Sequence, residues 1–133
     1  DDSKTVVAEL EADSAISGWP RKSVKPTFIV RCKERKTSAY FVTGMSPNVE
    51  YGTDEATIRL RIDKKPVFKL MAGKSTDGEA LFLPSGTTQL KAMMEGSTLL
   101  FEFTPFNSSP QMTTFQIAGM NEALKPIREA CKW

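Results

Sequence analysis

The residues able to do chemistry in this chain are few and far apart. It contains no histidine, which excludes a Ser-His-Asp triad, a Cys-His pair and a histidine-held metal. Glu50 with Asp54, or Asp77 with Glu79, has the composition of a glycosidase carboxylate pair. Both pairs sit in polar, turn-rich sequence with nothing nearby to displace a pKa, and are expected to be loop residues. No phosphate-cradling glycine loop occurs, since Gly73, Gly78 and Gly86 are scattered through turns. The sequence therefore offers no catalytic residue, no metal ligand set and no cofactor site.

What remains is two cysteines, some arginines and a few aromatics. Cys32 and Cys131 are too far apart for a CxxC motif, and two cysteines alone do not make a zinc site. Two arrangements fit: a disulfide, or two buried thiols. Cys32 is in phase with Phe28 and Val30, and Cys131 falls four residues after Ile127. Both thus point toward a core, which favours the disulfide and, with it, an oxidising compartment. Arg31, Arg59 and Arg61 would form an outward basic patch for carboxylate or phosphate if their strands were neighbours. Asp63, two residues from Arg61, would then neutralise it. Trp19, between Gly18 and Pro20, is a candidate interface anchor. Tyr51, with Met45 and Pro47, marks a second candidate contact loop. Trp133 is expected to close the core.

These residues need elements to hold them. The 133 residues include 18 basic and 16 acidic side chains, a net charge of +2 that is too weak to argue for nucleic acid. Apolar residues make up 40%, as in a folded globular chain, and the length suits a single domain over 1–133. No run is long and apolar enough to span a membrane. Strands are expected at Lys4–Leu10, Thr27–Lys33, Ser38–Thr43, Ala56–Asp63, Val67–Leu70, Ala80–Leu83, Ser97–Thr104 and Met112–Ile117. The clearest alternation is Ile58, Leu60 and Ile62 inward against Thr57, Arg59 and Arg61 outward. Ala12–Lys25 and Gly44–Asp54 read as loops. Helices are expected over Thr87–Glu95, stopped by Gly96, and over Asn121–Ala130, kinked or restarted at Pro126. The fold class is α+β: a β-rich antiparallel sandwich or curved half-barrel with two short helices, the second C-terminal.

Three segments together resemble a known family. Pro26-Thr27-Phe28-Ile29-Val30-Arg31-Cys32 is followed by Thr37-Ser38-Ala39-Tyr40-Phe41. Arg61-Ile62-Asp63 comes next, with Lys65-Pro66. The end runs Thr114-Phe115 … Gly119 … Arg128-Glu129-Ala130-Cys131-Lys132-Trp133. In order and spacing these are similar to the VasI/TagO family of type VI secretion-associated accessory proteins, over most of the chain. The resemblance implies an exported bacterial envelope protein, periplasmic or secreted, with its signal peptide removed. It also implies a structural disulfide at Cys32 and Cys131 and a non-enzymatic role. Only the cysteines, Arg61, Asp63 and Trp133 match family positions, and those read as structural. The expected function is an envelope binding domain, an accessory protein of type VI secretion acting by protein-protein contact. An inhibitor or exclusion factor acting on a cell-wall enzyme, phage or secretion partner is the alternative. A cell-wall hydrolase is disfavoured by the missing histidine and the unconvincing carboxylates.

Overall fold

The computed structural model describes residues 5–133, so the expected strand start at Lys4 lies outside the described residues. The strands are β1 (Val6–Glu11), β2 (Ile16–Gly18), β3 (Lys22–Val24), β4 (Thr27–Lys33), β5 (Lys36–Val42), β6 (Glu55–Ile62), β7 (Phe68–Lys74), β8 (Ala80–Phe82), β9 (Thr98–Phe103) and β10 (Gln111–Gln116). The helices are α1 (Thr87–Met93), α2 (Met120–Ala123) and α3 (Lys125–Cys131). Eight strands form one antiparallel sheet in the order β1-β4-β5-β8-β7-β6-β9-β10, while β2 and β3 form a separate hairpin.

Alternation decides most of this. In β6, Ala56, Ile58, Leu60 and Ile62 are buried and the residues between them are not. Glu34 and Arg35 link β4 to β5 with φ of 52° and 63°, the left-handed pair of a tight two-residue hairpin turn. Two expectations need correction. The segment Ala12–Lys25 is not all loop: it holds the β2–β3 hairpin, whose three-residue strands are too short to show a period. The second helix is two helices, α2 and α3, meeting at Leu124. Pro126 lies in the first turn of α3, where a missing N–H costs nothing, so it restarts the helix rather than kinking it.

The core explains the shape. Phe41 of β5 stacks on Phe101 of β9, with ring centroids 4.0 Å apart and planes inclined by 10°. Phe28 of β4 meets Phe115 of β10 edge-on at 6.2 Å. Between β5 and β9 the sheet order places three strands, so such contacts require the sheet to curl until its two halves face each other. The result is one open, curved sheet with its apolar face turned inward, and neither a two-sheet sandwich nor a closed barrel.

The two edge strands, β1 and β10, border an open seam. At one end it is pinned. After β1 the chain bonds first to the β4 side, through Ala12 N–H to the Pro26 carbonyl at 2.8 Å. It then crosses to β10, through Asp13 N–H to the Thr114 carbonyl at 2.8 Å. The Asp13 carboxylate accepts from Thr114 Oγ1 at 2.6 Å and from Gln116 Nε2 at 2.7 Å. These bonds hold its pKa below the ordinary carboxylate value. At the other end α2 and α3 partly cover the seam. Cys131 of α3 is bonded to Cys32 of β4, and Trp133 Nε1 donates to Thr37 Oγ1 at 2.8 Å. Arg128 Nε donates to the Trp133 carbonyl at 3.2 Å, and its guanidinium lies over the indole.

Two outcomes follow for stability. The Cys32–Cys131 bridge closes a span of 99 residues, for which chain entropy predicts about 4–5 kcal/mol. Urea unfolding of the Cys32→Ala/Cys131→Ala chain should show a loss approaching that figure. Asp13, Asp63 and Asp77 all have carboxyl pKa values lowered from 3.8 by hydrogen bonds to the ionised form. Their contribution is therefore present above the unfolded value and lost as pH falls through the lower folded values. The thermal midpoint should drop below about pH 4, and the Asp13→Asn/Asp63→Asn/Asp77→Asn chain should show a shallower acid limb.

Candidate functional site

The sequence-predicted residues separate once folded. Arg31 lies on β4 and Arg59 and Arg61 on β6, with β5, β8 and β7 between those strands, so no shared arginine patch forms. Arg59 faces Glu102 of β9 at 3.7 Å. Arg61 Nε donates to the Lys65 carbonyl at 3.1 Å. Asp63 does not neutralise Arg61: its Oδ1 accepts the backbone N–H groups of Ser97 and Thr98 at 3.0 and 2.9 Å, fastening the turn after β6 to the start of β9. Those two bonds lower its pKa. The Arg31 guanidinium lies 5.5 Å from the centre of the Tyr40 ring, which in turn stacks on Phe82 at 4.5 Å. The Arg31 Nε is buried without a hydrogen-bond partner among the described residues.

The second candidate loop also divides. Tyr51 is fully exposed, whereas Met45 is core, at 1% exposure, and Pro47 is buried. Met45 is held inside because Thr43 Oγ1, itself buried, bonds to the Met45 carbonyl at 2.9 Å and turns the chain inward.

Trp19 is where exposure and order coincide. It is 55% exposed at the tip of the β2–β3 hairpin, and Phe106, 52% exposed, stands edge-on to it at 5.9 Å. The pair is held from both sides. Trp19 N–H donates to Ser108 Oγ at 2.9 Å, and Ser17 N–H donates to Gln111 Oε1 at 3.0 Å. Phe106 N–H donates to the Ser46 carbonyl at 2.9 Å. Gly18 allows the hairpin to lie this close, because a Cβ there would overlap Met45 Sδ and crowd Pro105. An open groove runs beside the rings past Pro20, Arg21, Asn107, Ser109 and Gln111. Its one charged lining residue is Arg21, and the rest of its lining offers apolar contact and hydrogen bonding. Phe106 was hidden in the sequence, where Phe106–Pro110 reads only as a turn. An aromatic placed first in a polar turn between two strands was the available signal.

The Trp19→Ala and Phe106→Ala chains should each stay within about 1 kcal/mol of the parent in urea unfolding, since both rings are more than half exposed. Ser108→Ala should loosen the hairpin, measured as faster amide exchange at Trp19.

The family model described as type VI secretion system VasI, EvfG matches residues 7–133. No curated protein and no solved structure matches the chain. The matched span takes in both cysteines, the Asp63 fastening, the Trp19–Phe106 edge and the terminal Trp133, and on that match the chain belongs to the VasI family of the type VI secretion system.

Proposed function

We propose that this chain is a non-enzymatic, envelope-located accessory protein of type VI secretion that works by contact with another protein. The observation that carries the reading is the Trp19–Phe106 pair. Two large, half-exposed rings stand edge-on to each other on backbone that hydrogen bonds tie between three separate segments. Exposed aromatics of this kind supply much contact area at little entropic cost and are typical binding anchors. The Cys32–Cys131 disulfide supports an oxidising compartment such as the periplasm. Family membership supplies the secretion context.

The test is complementation in the source bacterium. A strain lacking the gene is given the parent chain or the Trp19→Ala/Phe106→Ala chain at matched abundance, and release of type VI substrates is measured. Secretion restored by the parent and not by the variant is the expected result. Full restoration by the variant would remove the aromatic pair from the function.

A further inference from the structure

The seam that α2 and α3 only partly fill is a second site, distinct from the Trp19–Phe106 edge. Its long wall is β1, which among the described residues pairs with β4 and with no other strand. Phe28, Val30 and Cys32 of β4 are fully buried, yet their inward-facing neighbours Val6, Ala8 and Leu10 on β1 remain part-exposed. The opposite wall is the turn Ile117–Gly119 with Met120, Ala123 and Leu124, and the floor is Phe28 and Val30. Between them lies an apolar cavity of about 130 Å³. A cavity of about 150 Å³ holds one benzene, so this one has room for a single branched aliphatic side chain.

We propose that this seam binds an extended peptide segment of a partner protein, which adds beside β1 as a further strand. An unpartnered strand edge offers a row of main-chain donors and acceptors, and a neighbouring apolar slot takes alternate side chains. The period of two then fixes the pattern of the segment. The residue beside Ala8 turns inward, into the cavity. Those on either side of it turn outward beside Val7 and Glu9, both exposed, and the next outward position lies beside exposed Glu11. Lys25 approaches Glu11 only at 3.9 Å, with both side chains about half exposed or more, too weakly to cancel it. The complementary segment is therefore an aliphatic residue with Lys or Arg at the outward positions that face Glu9 and Glu11. A second copy of this chain fits less well, because pairing through β1 would bring the same acidic row to both sides of the junction.

The test needs no secretion assay and stands or falls apart from the secretion reading. The disulfide-intact chain is titrated, by amide NMR, with the capped heptapeptide Lys-Val-Lys-Leu-Lys-Val-Lys. The same peptide N-methylated at alternate residues and Glu-Val-Glu-Leu-Glu-Val-Glu serve as comparisons. Expected are shifts and slowed amide exchange along β1, with shifts at Gly119–Leu124. N-methylation should weaken binding at least about tenfold, since it removes the ladder and keeps the side chains. Glu9→Lys, an exposed position that leaves the core intact, should narrow the preference for the lysine over the glutamate peptide, and Glu9→Lys/Glu11→Lys should reverse it. Ala123→Trp should block the slot. Equal binding of the N-methylated peptide, shifts scattered over acidic surface without protection of β1, or concentration-dependent protection of β1 with no peptide present would each overturn the proposal.

Discussion

One sheet with one apolar face has to hide that face from water, and here it does so by meeting itself. The Phe41–Phe101 stack is the point of closure. Burying an aromatic side chain removes an area large enough to dominate a small core, and Phe28, Phe41, Phe101, Phe103 and Phe115 are all within 1% of complete burial. The rest answers to this. The curl brings β1 and β10 toward each other without pairing them. The unpaired edges then need separate solutions, namely the Asp13 crossing at one end and the C-terminal helices at the other.

This division of labour also separates the surfaces. The pinned end is polar and saturated: Asp13, Ser14, Thr113, Thr114 and Gln116 satisfy one another. The helical end is apolar and leaves space. The Trp19–Phe106 edge arises elsewhere again, where the β2–β3 hairpin leans on the turn between β9 and β10. A rigid scaffold with its exposed groups carried on the connections is a common arrangement, because loops vary without disturbing a core.

Much of this was legible from residue order. Strict alternation in Ile58, Leu60 and Ile62 located β6 and its buried face, and the matching inward phase of Cys32 and Cys131 pointed to their bond. What failed were relations between distant segments. Nothing local says that three strands lie between β4 and β6, so whether the arginines share a patch stayed open until the sheet order was known. Nothing local says that Asp63 will find Ser97 and Thr98 rather than Arg61, since that partnership depends on β6 pairing with β9. Met45 does lie in a loop, as its sequence suggests, but its burial comes from Thr43 and Gly18, not from a period of its own. Trp19 was visible as an unusual residue, but its partner Phe106 is 87 positions away.

The closing contacts also govern how the chain reaches its fold. Ser14 meets Thr113, Asp13 meets Gln116 and Thr37 meets Trp133, at separations of 99, 103 and 96 residues. Contacts this remote give a high contact order, and chains of that kind fold slowly because long loops must close before any reward arrives. The amino-terminal strands cannot bury Phe28 and Phe41 until Phe101 and Phe115 are present, nor secure Cys32 until Cys131, 99 residues on, is available. The emerging chain thus keeps its first aromatic strands open until the segment carrying Phe115 and Cys131 has been made.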